Sequence, residues 1–127
     1  MASIVFDSSV VLAHLNKEPG SEYAAGLFGD ALISSVNLAE VIGKLVERGA
    51  RLDVIRMALS RYGMQTVDYD EALAERTGAL RLQTKELGLS LGDRACLALA
   101  EAWNLPVLTA DRNWAKLTLS VEIRMLR

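Results

Sequence analysis

The chain has 127 residues, 51% of them hydrophobic, with a formal net charge of −2 and a mean hydropathy of +0.21. That length suits a single domain over residues 1–127, able to bury roughly two-thirds of its unfolded surface without a disulfide or metal staple. The charge excludes nucleic-acid binding by a broad basic face, and no apolar run is long enough to span a membrane. One cysteine, Cys96, excludes an internal disulfide. With no charged segment of signal-peptide type at the start, a reduced cytoplasmic setting is the expectation. So high an apolar fraction leaves surface for a protein partner or a second copy of the chain.

Ile4-Val5-Phe6 is a strand-prone apolar run without alternation, as in a central parallel strand covered on both faces. It ends at Asp7, and a helix over Val10–Leu15 follows. Glu18-Pro19-Gly20 breaks that helix, and Ser21 is placed to cap a second one over Glu22–Phe28. Ala31–Ile33 reads as strand two. Ser34 or Ser35 caps a helix from Val36 to about Glu47, whose apolar stripe is Leu38, Val41, Ile42, Leu45 and Val46. A further helix lies around Leu52–Leu59 and ends at Gly63. Met64–Val67 is strand three. Asp70 opens a long helix from Glu71 to about Leu87, with Gly88 at its C′ position. Ser90 opens a helix over Leu91–Trp103 that is apolar nearly all round, so it is expected against the sheet. Val107–Thr109 is strand four, Asn113–Leu117 one helical turn, and Val121–Leu126 a last strand, at an edge. The pattern predicts an α/β fold: a mostly parallel central sheet of about five strands with helices on both faces.

Four acids fall where this pattern puts the functional edge of the sheet. Asp7 ends strand one, Glu40 lies near the start of the helix after strand two, Asp93 is in the first turn of the buried helix, and Asp111 follows strand four. Four carboxylates without a His/Cys cluster suit a hard cation, Mg²⁺ or Mn²⁺. Such a metal holds phosphate, activates water and stabilises a leaving oxygen, which is phosphodiester chemistry. Each acid also has a structural reading. Asp7 could cap the first helix, and Asp93 could complete a capping box with Ser90. Glu40 shares the polar side of its helix with Asn37, Lys44 and Glu47, the ordinary solvated face. Asp111 could be a turn residue. Spacing alone leaves both readings open.

Taken together, Ile4–Val10, Ser34–Val41, Leu91–Ala100 and Pro106–Trp114 resemble the PIN-domain ribonucleases, and among them the VapC-type toxins of toxin–antitoxin pairs. The resemblance implies a PIN-like fold. It also implies an Mg²⁺- or Mn²⁺-dependent endoribonuclease leaving 5′-phosphate and 3′-hydroxyl ends, held by a cognate antitoxin and expected to be a homodimer. Carried over by position, Asp7, Glu40, Asp93 and Asp111 match the family's catalytic, metal-binding acids, and Ser9 and Thr109 match the hydroxyls beside them. Ser9 could equally cap a helix and Thr109 pack the sheet. Arg94, Arg112 and Lys116 adjoin site acids and are candidates for RNA phosphates. Some relatives carry a further acid where this chain has Asn113, so a second metal is less secure. His14 with Cys96 makes no zinc site, and His14 inside an apolar helix reads as structural rather than part of a hydrolase triad. The competing function is a non-catalytic α/β metal- or protein-binding module.

Overall fold

In the computed structural model, which describes residues 1–127, the run Ile4–Phe6 forms β1, the middle strand of a five-stranded, all-parallel sheet. In chain order there follow α1 (Ser8–Leu15), α2 (Glu22–Ala25), β2 (Ala31–Ser34), α3 (Ser35–Glu47), α4 (Leu52–Ser60), β3 (Gln65–Val67), α5 (Glu71–Ala79), α6 (Arg81–Thr84), α7 (Leu91–Trp103), β4 (Val107–Thr109) and β5 (Ile123–Met125). Short 3₁₀ turns lie at Phe28–Asp30 and Arg112–Lys116. The strand order is β3-β2-β1-β4-β5. From β1 the chain winds outward to β2 and β3, then crosses back to lay β4 on the other side of β1. At such a reversal a crevice opens beyond the C-terminal ends of the strands. Here it lies between β1 and β4, where Phe6 pairs with Leu108.

The pleat explains why β1 reads as an unbroken apolar run. Ile4 and Phe6 face one core with Val10, Val11, Phe28, Ile33 and Val41, while Val5 faces the other with Leu32, Leu97, Leu99 and Val107. Each such side chain, fully buried, contributes about 1.5–3 kcal/mol of transfer free energy. α7 is apolar on most sides because Ala95 to Ala100 are all buried between the sheet and α5.

Several expected boundaries shift. α1 begins at Ser8, and β5 is the predicted edge strand cut to Ile123–Met125. The expected second helix stops at Ala25, and Ser21 makes no side-chain cap because its own backbone is already helical (φ −66°, ψ −22°). The single helix over Glu71–Leu87 is two, breaking at Leu80. Gly78 weakens the helix just before the break. The Thr84 hydroxyl donates to the Leu80 carbonyl, a back-bond of the kind that bends helices. Ser34 rather than Ser35 caps α3, accepting from Val36 N. His14 is structural as expected, with Nδ1 2.8 Å from the Tyr62 hydroxyl and its ring edge-on to Phe28.

Candidate active site

Asp7 leaves β1 into the crevice and is only 4% exposed. It occupies the N-cap position of α1, yet its side chain caps nothing. Instead Ser9 Oγ donates to its Oδ2 at 2.6 Å, and Thr109 Oγ1 donates to the same oxygen at 3.0 Å. Those hydroxyls in turn accept from Ala110 N and Asp111 N. Ser9 and Thr109 therefore do more than cap and pack: they tie the end of β4 to the Asp7 carboxylate. Burial is the main force on this carboxyl, lifting its pKa from 3.8 to about 6. The two hydroxyl bonds oppose the lift, and the charges of Asp93 and Glu40 add to it. Loss of hydration, more than crowding of like charges, makes Asp7 hard to ionise.

Glu40 is half-buried rather than solvated. The helical pattern misplaces its neighbour Asn37 more seriously, for Asn37 is fully buried. α3 crosses the start of α7 at this point, and Asn37 Nδ2 donates both to Glu40 Oε1 (2.8 Å) and to the Gly92 carbonyl (3.0 Å). Gly92 is shaped to that contact, since a Cβ there would run into the Glu40 carboxylate. The signal in the sequence is an amide one turn before an acid; what the amide touches lies 55 residues away.

Asp93 does complete the capping box of α7. Ser90 Oγ accepts from Asp93 N at 3.1 Å, and Ser90 N donates to Asp93 Oδ2 at 2.9 Å. Asp111 does shape a turn, with Oδ1 accepting from Asn113 N at 3.0 Å. Capping and ligand roles are not exclusive, however. The bonds fall on Asp7 Oδ2, Glu40 Oε1, Asp93 Oδ2 and Asp111 Oδ1, and in every case the second oxygen has no protein donor. Each carboxylate is held by one oxygen and presents the other.

Asp7, Glu40 and Asp93 lie near enough for the charges of Asp93 and Glu40 to act on the Asp7 carboxyl. Asp7, Asp93 and Glu40 all push up the thiol pKa of buried Cys96, whose burial raises it most. Asp111 is exposed and joins the group through Thr109. The four do not close into a ready-made cage: no three Asp, Glu, His or Cys side chains stand close enough to share one ion. An all-oxygen set around a buried carboxylate that lacks a cationic partner nevertheless fits a hard divalent cation.

The remaining candidates divide. Arg94 is held in the fold, its Nη1 donating to the Thr77 carbonyl and its Nε buried without a partner. It ties α7 to α5, which leaves little of it for a phosphate. Asn113 Nδ2 donates to the Leu87 carbonyl and, with buried Trp114, anchors the turn carrying Asp111. Arg112 and Lys116 are exposed.

Residues 4–118 match the PIN domain family, and the chain belongs to that family. A comparison with curated protein sequences finds no significant match. Among solved structures the chain is similar to the toxin–antitoxin complex from Klebsiella pneumoniae, with TM-score 0.78, 23% identity and 98% of each chain covered. It is similar also to DNA-bound VapBC from Salmonella typhimurium, with TM-score 0.75, 22% identity and 100% of each chain covered. A third likeness is to the Mycobacterium tuberculosis toxin VapC20, described as cleaving the sarcin-ricin loop, at TM-score 0.69 and 16% identity over 91% of this chain and 97% of that one. The expected PIN-like fold stands, and it is the fold of VapC toxins.

Proposed function

We propose that this chain is an Mg²⁺- or Mn²⁺-dependent endoribonuclease, the toxin of a type II toxin–antitoxin pair. The observation that supports this reading is that Asp7, buried at the β1–β4 reversal, and Glu40, Asp93 and Asp111 each have one oxygen fixed by the protein and one without a donor. Those four residues would hold the metal. When bound, it supplies an acidified water and positive charge for the leaving oxygen of a phosphodiester. The chain's own residues provide the frame. Ser9 and Thr109 orient Asp7, Asn37 orients Glu40, and Ser90 orients Asp93. Such outer-shell bonds set the direction and basicity of ligands.

The partner in this reading is a protein antitoxin, as in the similar complexes from Klebsiella and Salmonella. Its seat is an apolar groove of about 390 Å³ between α3 and α4, lined by Leu38, Ile42, Leu52, Leu59 and Met64 with Arg56 at its side. Leu52, half exposed on α4, and Val46, on the same stripe of α3 as Leu38 and Ile42, leave the apolar surface open, and Arg56 supplies positive charge at its side. An amphipathic segment with acidic residues along its rim matches that surface.

One observation favours the competing reading in its protein-binding form, a module without catalysis: no three of the acids stand close enough to share one ion. Cleavage of single-stranded RNA by the antitoxin-free protein separates the two. The nuclease cleaves with Mg²⁺ or Mn²⁺ and stops in EDTA, and Asp7→Asn, Asp93→Asn or Glu40→Gln each reduce the rate by orders of magnitude while the fold survives. Cleavage that persists in EDTA, or that ignores Asp7→Asn, removes the metal-nuclease reading.

A further inference from the structure

We infer, resting on the ribonuclease reading, that Arg48 and Arg127 form a seat for an RNA phosphate beside the acids, and that Glu18 fills this seat in the free protein. A chain of net charge −2 must hold a polyanion with local cations. Arg94 does not supply one, being tied to Thr77. A groove of about 260 Å³ does, because its walls include Ser9 and Asp111 of the site together with Asn16, Glu18, Arg48 and Arg127. It follows α1 from Ser9 in the first turn to Asn16 at the C-cap, a path of about 10 Å at helical rise. The seat therefore takes a neighbouring phosphate rather than the scissile one.

Three parts of the chain meet there. Arg127, in the C-terminal segment, places Nη2 2.8 Å from Glu18 Oε1 and Nη1 3.1 Å from the Pro19 carbonyl. Its path is built in, since a Cβ on Gly20 would come within 3.0 Å of Arg127 Cβ. Arg48, just after α3, donates from Nη1 to Asn16 Oδ1 at 3.2 Å. Asn16 Nδ2 in turn reaches Glu18 Oε2 at 3.4 Å. Arg127's bond first, then Asn16's, and the charges of both arginines hold the Glu18 carboxyl below its ordinary range. Glu18 thus feels the field a phosphate would feel. Guanidinium groups recognise carboxylate and phosphate by the same planar fork. The Arg127–Glu18 pair is well exposed and adds little to stability, so exchanging one anion for another costs little.

The test is fluorescence anisotropy of a labelled single-stranded RNA titrated with the full chain in EDTA, with single-turnover cleavage in Mg²⁺ alongside. Arg48→Ala and Arg127→Ala each weaken RNA binding roughly twofold to fivefold, the scale of an exposed charge pair. Each also lowers the slope of log affinity against log salt by about 0.7, as loss of one phosphate contact on a single strand does. In cleavage the loss falls on the half-saturating concentration rather than on the maximal rate. Glu18→Gln tightens binding, an outcome that misfolding cannot mimic. Unchanged affinity and salt slope in both arginine variants overturn the seat, as does weaker binding by Glu18→Gln. A polyglutamate peptide that displaces the RNA at equal concentration also overturns it, reassigning the arginines to a protein partner. Wild-type protein that binds RNA through these arginines but never cleaves it with either metal sustains the seat and removes the nuclease reading.

Discussion

At the scale of single residues, Asp7 sets stability against chemistry. Its buried carboxyl is most stable neutral, with a folded pKa of about 6 against 3.8 for the free group. Below about pH 4 it is protonated in both folded and unfolded chains. As pH rises toward 6 the unfolded chain gives up its proton first, and the stability held by the neutral form is lost, about 3 kcal/mol by pH 7. Denaturant titrations of the metal-free protein between pH 4 and pH 8 should show this decline, and Asp7→Asn should abolish it, being the more stable variant at pH 7. A wild-type stability that climbs through that window would contradict the burial account. Asn37 makes the second residue-scale prediction. Asn37→Ala and Gly92→Ala disturb the Glu40 carboxylate from opposite sides, one removing its donor and one filling its space. Both should weaken Mn²⁺ binding by roughly 10–100-fold, the usual cost of losing an outer-shell partner. Calorimetry with Mn²⁺ is the measurement, and unchanged affinity in both variants would remove Asn37 from the site.

At the scale of elements, α7 does two jobs. Its middle fills the core between α5 and the sheet, and its first turn presents Asp93. The capping box couples them, because Ser90 both starts the helix and fixes Asp93 Oδ2. Ser90→Ala should cost about 1 kcal/mol of stability, as N-cap losses do. It should also reduce metal affinity modestly, because losing the Oγ acceptor for Asp93 N loosens the first turn, while the Ser90 N–H that holds Asp93 Oδ2 remains. A urea midpoint shifted without any change in metal binding would mean that the cap is structural alone. The α3–α7 crossing explains the misplaced Glu40 as well. A helical wheel registers only which residues share a side, not what another helix lays across that side.

For the molecule as a whole, the winding reversal makes the site: β4 returns beside β1, and only then does Thr109, with Asp111 N bonded to its hydroxyl, reach Asp7. A metal that binds the native state alone should raise stability with its concentration, by about 2.7 kcal/mol at a hundred times its Kd. For a domain of this size that is a rise in Tm of roughly ten degrees, to be read in melts with Mg²⁺ or Mn²⁺ against EDTA. The opposite outcome, no shift while metal-dependent cleavage is intact, would mean that the metal binds too weakly to be held at that concentration, or binds the unfolded chain equally well. Docking of the proposed antitoxin is a separate surface property. Leu52→Glu, at an exposed position of α4 that lines the groove, should weaken the complex with the proposed antitoxin and leave RNA cleavage in its absence unchanged.

By itself the sequence determined the parallel α/β architecture, because apolar periodicity and turn residues act locally and β1 and α7 carry them without ambiguity. It also pointed to the carboxylates to examine, through the resemblance of four segments to the PIN family and not through spacing, which leaves each acid a capping, turn or solvated reading. It did not determine which oxygen of each is engaged, that Asn37 is buried, that Arg94 is tied to Thr77, or that Arg127 reaches Glu18. Those contacts join residues 17 to 109 positions apart. A side chain's surroundings at that range are set by how helices cross and strands are ordered, and only the tertiary structure decides that.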